Sequence, residues 1–411
     1  MKTSLVAVLL AACGFAQDTP SPLSLADLER WALQSNPSLQ QAGSDIRAAE
    51  GMSRQAGLYP NPVLGATGDQ VAPGQVGAYG GFVEQRIVTG GKLAKSRRAA
   101  EQSGLEAKAR ADAEKYRVLN SVRRLFYRAL GDQRLIDVRM SMVKLASESV
   151  LVSSELANVG LADKPDLLSA KVEASRVELS LAAARNARER TWRELAAVVN
   201  KPDLEPRPLS GDLEHFPKLE REDALARVLR QSPQLEEARA AAAKTSLLLR
   251  RAEVEKIPDV QVRGGVRYNR ELLEGLNGLG RVGQVGVEGF FDVGVEIPLF
   301  NRNQGGVAAA KADSERARLE VERASLEIRK RLARAFQEYQ DAASAADRYQ
   351  TQMIPAAQEA YDLYLKNYRA MSGAYAQVLM AQRTLFQLQE EYVNQLVMAW
   401  QASVEINGFL Y

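Results

Sequence analysis

From Lys92 to about Leu151 the chain runs without a proline and with only two interior glycines, Gly104 and Gly131, in a stretch rich in alanine and charge. A helix of that length would reach on the order of 90 Å, about three times the diameter of a small domain. The run is entered from an alternating stretch, Gly77–Ile87, through a turn at Thr89-Gly90-Gly91. It turns over at Asn158-Val159-Gly160-Leu161-Ala162 and returns as a second helical run over Pro165–Asn200. Such a hairpin is built to span a distance rather than to enclose a core.

The same excursion occurs twice. Val228-Leu229-Arg230-Gln231-Ser232-Pro233-Gln234-Leu235 repeats Ala32-Leu33-Gln34-Ser35-Asn36-Pro37-Ser38-Leu39. Pro37 and Pro233 are 196 residues apart, and so are Pro62 and Pro258. The offset grows to 210 between Phe126 and Phe336 and to 211 between Leu168 and Leu379, so the second half carries an insertion in its β region. An internal repeat of this length fixes the architecture before any motif does. In each half a helix comes first, Leu25 to about Leu58 in the first, interrupted at Asn36-Pro37. The second long helix starts at Gly305-Gly306 and runs to about Gln352. Val321, Ile328, Ala335, Ala342 and Tyr349 recur in it every seven residues, with Leu332, Tyr339 and Ala346 between them, a coiled-coil seam of mostly small residues. Pro355 is expected to kink it. Helix then resumes to Met371-Ser372-Gly373 and returns from Tyr375 to about Ile406.

Between these helices lie two alternating stretches. Val63–Ile87 reads as a hairpin turning near Ala72-Pro73-Gly74-Gln75. In the second half Val260, Val262, Gly264, Val266 and Tyr268 share one face, and Gln261, Arg263, Gly265 and Arg267 share the other. In its partner run Val285, Val287, Phe291, Val293, Val295 and Ile297 alternate with Gln284, Glu288, Asp292 and Glu296, and the intervening Asn269–Gly283 is a glycine-rich loop. This is the period of a sheet apolar on one side. A soluble sandwich would bury that side, whereas a membrane barrel would turn it to lipid. Four strands cannot close a barrel, for which about eight are needed, and no further strands exist to cover the face. Closure by several copies of the chain resolves both difficulties.

Net charge is +3, with 54 basic and 51 acidic residues interspersed, which gives no nucleic-acid surface. No apolar run reaches the length of about 18 residues that a membrane-spanning helix needs. Cys13 and His215 are the only residues of their kinds, so no zinc or soft-metal site assembles within one chain, and none of the residue patterns of a catalytic site or a cofactor cradle occurs. His215 lies in the linker segment Leu213–Pro217, where a solvated or packing role is expected. An enzyme is therefore not expected. The N-terminus reads as an export signal, with Lys2, an apolar core over Leu5–Ala12, and small residues after it. Leu10-Ala11-Ala12-Cys13 reads as a lipobox that would leave Cys13 acylated; Gly14-Phe15-Ala16 reads as an ordinary cleavage site with the mature chain beginning at Gln17.

Several segments resemble one family in order: Tyr59-Pro60-Asn61-Pro62, Val83-Glu84-Gln85-Arg86-Ile87 leading into Gly90-Gly91-Lys92, Val159-Gly160-Leu161-Ala162 at the first tip, and Tyr368 through Ala381 at the second. Together with the twin repeat they are similar to the TolC-like outer-membrane efflux proteins, in particular to the heavy-metal (CusC/CzcC-like) branch. The resemblance implies a mainly α fold with a small β part and two structural repeats. Long coiled helical hairpins form a trimeric α-barrel, and four strands per chain contribute to a 12-stranded outer-membrane β-barrel. The implied division is a leader over 1–16 and a first repeat over 17–200, with an equatorial helix, a β-hairpin over 63–87 and a helical hairpin over 92–200. A linker over 201–217 precedes a second repeat over 218–411, with its own equatorial helix, β-hairpin over 259–298 and helical hairpin over 303–406.

The implied function is the exit duct of a tripartite system, located in the bacterial outer membrane with a long periplasmic extension. As a homotrimer set in outer-membrane lipid, it would receive substrate from an inner-membrane RND or ABC transporter through a periplasmic adaptor (membrane fusion) protein, without a cofactor. Val159, Gly160, Leu161 and Gly373 fall on the adaptor-docking tips. Asp166, Tyr368, Arg369 and Gln377 fall on the periplasmic gate, where Gln377 and Met380 stand at positions that carry rings of carboxylates in the family. Metal cations or drugs are the expected cargo, and a polypeptide-secreting (type I) channel is not separable from an efflux duct at this level. The competing reading is a periplasmic adaptor or coiled-coil scaffold, but an adaptor carries one hairpin, and this chain carries two, each preceded by its own strands.

Overall fold

The computed structural model describes residues 22–72, 75–159, 163–270, 272–274, 281–283 and 286–411. The elements in chain order are β1 (Leu23–Ser24), α1 (Leu25–Ser35), α2 (Pro37–Ala56), β2 (Val63–Ala72), β3 (Gln75–Ile87), α3 (Lys92–Asn158), α4 (Lys164–Val198) and β4 (Leu209–Ser210). There follow α5 (Arg221–Gln231), α6 (Pro233–Glu253), β5 (Val260–Asn269), β6 (Leu272–Glu274), β7 (Arg281–Gly283), β8 (Gly286–Val295) and α7 (Gln304–Arg348). A π-helical turn (Tyr349–Met353), α8 (Ile354–Arg369) and α9 (Tyr375–Asn407) complete the chain. The chain is mainly helical with few strands, and among the described residues no helix is long and apolar enough to cross a membrane.

The repeat is visible in backbone dihedrals. Asn36 ends α1 at φ −68°, ψ 123°, and Ser232 ends α5 at φ −65°, ψ 124°. Each precedes a proline, whose ring excludes the helical region for the residue before it, so both helices break at the same place and restart with Pro at the first position. α1 is opened by a capping box in which Ser24 Oγ donates to Asp27 and accepts the Asp27 backbone N–H.

α3 is continuous over 67 residues and passes the expected end near Leu151 to reach Asn158. The seam on α7 is buried at Ile328, Leu332, Ala335, Tyr339, Ala342 and Ala346. At the expected kink the helix widens instead. Pro355 has no N–H to give to Thr351, and the Ile354 N–H reaches back five residues to the Tyr349 carbonyl, which makes the π-helical turn.

Contacts divide the chain into two compact units. One draws on the chain up to Asn36, Val118–Leu219 and Arg334–Gly408; the other on Pro37–Arg117, Glu220–Ala333 and Phe409–Tyr411. In the first unit α3 and α9 approach closely at Gly131, where a Cβ would lie 2.3 Å from Val397 Cγ2. The segment 201–217 is strapped down there. Trp192 Nε1 donates to the Leu204 carbonyl at 2.7 Å, Trp400 Nε1 to Leu213 at 2.9 Å and the Tyr339 hydroxyl to Pro217 at 2.6 Å. Within it β4 pairs in parallel with β1, a contact between residues far apart in sequence that no local periodicity announces.

The second unit holds an antiparallel sheet in the order β2-β3-β5-β8, with β3 and β5 in the middle; the short β6–β7 pair lies between β5 and β8 in sequence. Among the described residues the outer edges of β2 and β8 pair with no further strand.

Candidate functional site

The register of the sheet sorts its side chains into two unlike faces. Leu64, Ala66, Tyr79, Val83, Ile87, Val260, Val262, Val266, Tyr268, Val287, Phe291, Val293 and Val295 fall on one side. Thr67, Asp69, Phe82, Glu84, Gln261, Arg263, Arg267, Asn269, Glu288, Phe290 and Asp292 fall on the other. A sheet folded for water would bury the first set and expose the second. Here the apolar side is left uncovered: Leu64, Val266, Val287, Phe291 and Val293 stand open, Val287 at 76% and Phe291 at 70%. The polar set is knitted together. Arg267 bonds Asp69 at 3.0 Å and Glu288 at 3.2 Å, Asn269 donates to Glu288 at 2.9 Å, and the Arg263 guanidinium lies 3.8 Å from the centre of the Phe82 ring.

The sheet's middle strands are locked to the helix that follows. Gly90 and Gly91 take φ +66° and +64°, a conformation that favours glycine, and turn the chain from β3 into α3. The turn brings Lys92, 4% exposed, onto Asp259 at the foot of β5, with Nζ to Oδ1 2.8 Å. Thr89 N–H donates to the same carboxylate at 3.0 Å and Arg86 at 2.6 Å. Burial alone would push the Asp259 carboxyl up; the bonds from Lys92, the Thr89 amide and Arg86 outweigh it and hold it down at about 2. Lys92 stands in the sequence as part of a motif, but its partner lies 167 residues on and carries no local signal.

The helical turns of the first unit carry the other candidates. Val159 follows α3 and is 65% exposed; Gly160 and Leu161 lie outside the described residues, as does Cys13. Asp166 sits in the first turn of α4, its carboxyl pushed up by partial burial and by neighbouring Asp163. Tyr368 is buried, and its hydroxyl lies 3.4 Å from Ser153 Oγ on α3; its ring lies 5.4 Å from that of Tyr375. Arg369 pairs with Glu148 on α3, Gly373 sits in the turn between α8 and α9, and Gln377 and Met380 are exposed on α9. The structure thus gathers Tyr368 and Tyr375 into one apolar cluster with Ala170 of α4, Tyr361, Leu365, Val378 and Leu385, a cluster that does not include Asp166. Burial pushes the Tyr375 hydroxyl up to about 12, helped by Glu173.

Glu173 was not singled out from sequence. It is buried at 4% exposure on α4 and accepts both Nε and a terminal nitrogen of Arg383 on α9, at 3.0 and 2.6 Å. No local signal marked it, because Glu173 and Arg383 each sit among other helical residues of ordinary spacing and meet only when α4 packs on α9.

A sheet with its greasy side outward, carried on paired hairpins of this length, defines the class. The outer membrane efflux protein family matches residues 29–201 and 224–408, one segment in each half of the repeat, and the chain belongs to that family. A relative is the cobalt-zinc-cadmium resistance protein CzcC of Cupriavidus metallidurans, 24% identical over 396 residues, which covers 96% of this chain and 92% of that protein. In three dimensions the fold is similar to that of the outer membrane protein VceC from Vibrio cholerae, with a TM-score of 0.78, 19% identity, and coverage of 94% of this chain and 96% of that one. It is also similar to CusC, described as forming a transmembrane channel, with a TM-score of 0.79, 16% identity, and coverage of 94% and 91%.

Proposed function

We propose that the chain is the exit duct of a tripartite efflux system. Three copies pool their strands into a 12-stranded barrel in the outer membrane, and their helices continue as an α-barrel into the periplasm. The observation that carries this is the two-faced sheet: its apolar face is uncovered, its polar face carries internal hydrogen bonds, and among the described residues neither outer edge pairs with a further strand. Three copies joined β8 to β2 remove the edges and turn the apolar face to lipid. The duct is passive and needs no cofactor, so the fold supplies a wall and a gate rather than a reaction.

Val159, Gly160, Leu161 and Gly373 are the proposed contact for the adaptor, in keeping with the exposure of Val159. Asp166, Tyr368, Arg369 and Gln377 are the proposed gate. An inner-membrane RND or ABC transporter supplies the cargo, and the likeness to CzcC favours divalent metal cations over drugs. Fractionation tests the first claim: heat-stable trimers in the outer membrane are expected, and a water-soluble monomer would remove it. Planar bilayers test the second: Asp166→Ala with Tyr368→Phe should raise single-channel conductance, and unchanged conductance would dismiss the gate.

A further inference from the structure

Two arginines stand on the polar face of β5, and they are held in opposite ways. Arg267 takes carboxylates: Glu288 directly opposite it on β8 at 3.2 Å, and Asp69 of β2 at 3.0 Å. Arg263, on the same face, has a carboxylate residue directly opposite on each side, Glu84 on β3 and Asp292 on β8. Among the described residues it pairs with neither, and its buried Nε has no hydrogen-bond partner.

Arg263 takes a pair of rings instead. Its guanidinium lies 3.8 Å from the centre of the Phe82 ring and 5.7 Å from that of Phe290. Both phenylalanines stand opposite Gly265, the next residue of β5 on that face. The space that a Cβ would need is occupied by the Phe82 ring at Gly65 and by the Phe290 ring at Gly265. Glycines thus seat the two rings against the sheet, and the arginine folds along β5 to meet them. An ion pair open to water contributes little, and a guanidinium laid on aromatic faces is held at least as well.

The consequence is electrostatic. The row Glu84, Arg263, Asp292 carries two carboxylates and one guanidinium, and the guanidinium is in contact with neither acid. Three copies around one lumen multiply that acidic excess at a single level. A wall with an excess of one sign concentrates counter-ions, and rings of carboxylates admit cations. We propose that this row is a charge filter inside the barrel: Glu84 and Asp292 select small cations, and Phe82 and Phe290 keep those acids free by clamping Arg263 away from them. This rests on the reading of the polar face as the lining of a duct, and the experiment separates the two.

The full-length protein in planar bilayers across a KCl gradient reports the permeability of K+ relative to Cl−. The wild type should favour K+ several-fold. Glu84→Gln with Asp292→Asn should abolish that preference, and Arg263→Gln should raise it about twofold. Phe82→Leu with Phe290→Leu alters no charge, yet it should lower the preference, because the released arginine falls back on the carboxylates. An unchanged preference in the carboxylate variant overturns the filter while leaving the duct. An unchanged preference in the phenylalanine variant, with heat stability lost, reduces the rings to a cover for the glycines and overturns the clamp. Should that variant fail to assemble, Arg263→Gln decides, since a preference that stays level or falls overturns the proposal. Protein that conducts nothing, wild type included, overturns the filter and the duct together.

Discussion

The two strand-to-helix junctions occupy equivalent places in the repeat and are built on opposite principles. At the offset that aligns Phe126 with Phe336, Thr89 corresponds to Leu299 and Gly90 to Phe300. The first junction is drawn inward: glycines allow the tight turn, Lys92 is buried, and Asp259 ties β3, β5 and α3 into one knot. The second is turned outward and exposes Leu299 and Phe300. Its left-handed residue is Asn303, φ +59°, tethered by its side-chain amide to the Ala252 carbonyl at 3.0 Å. The first junction serves the middle strands, which have neighbours on both sides; the second follows β8, an edge strand that among the described residues is paired on one side only. A duplicated element thus becomes a lock where it is enclosed and a contact surface where it is free.

The largest expected effect lies at the lock. Lys92→Met leaves a buried carboxylate short of its main cation and should cost about 3 kcal/mol, read as a lowered denaturant midpoint. Adding Asp259→Leu should recover most of that loss, because no buried charge is then left short of a partner. Acid should act on the same knot. With the folded carboxyl held at about 2, its contribution is full above the ordinary carboxylate range near 4 and fades as pH falls from there toward 2. The stability gap between wild type and Lys92→Met should close over that window in denaturation curves, and a constant gap would break the assignment.

Next comes Gly90→Ala, which forces a side chain to φ +66° with its Cβ 3.1 Å from Ile257 and should cost about 1–2 kcal/mol. The smallest effect belongs to the open junction: Phe300→Ser should change stability in detergent by less than about 0.5 kcal/mol. A large loss there would mean that Phe300 packs within its own chain, and the contrast between the junctions would fail.

Much of the fold was legible because its signals are local. The breaks at Asn36-Pro37 and Ser232-Pro233 follow from proline sterics, and the buried row on α7 follows from a seven-residue spacing within one helix. Asp166 and Tyr368 were named instead on the family resemblance of the tip motifs, and the proposed gate rests on that resemblance. Local spacing did not reach Glu173 with Arg383, whose charges look like ordinary solvated helix residues until α4 and α9 are laid together. Nor did it foresee β1 with β4, because strands of two residues are too short to show a period.

By itself the sequence determined the duplicated plan, the helix lengths and the two-faced character of the strands, since each is written in the spacing of neighbouring residues. Only the tertiary structure decided which face stays open, which lysine is buried and which carboxylate holds it. Those outcomes depend on strand order and on pairs of residues brought together from distant parts of the chain, and a residue's own neighbours in sequence carry no trace of such partners.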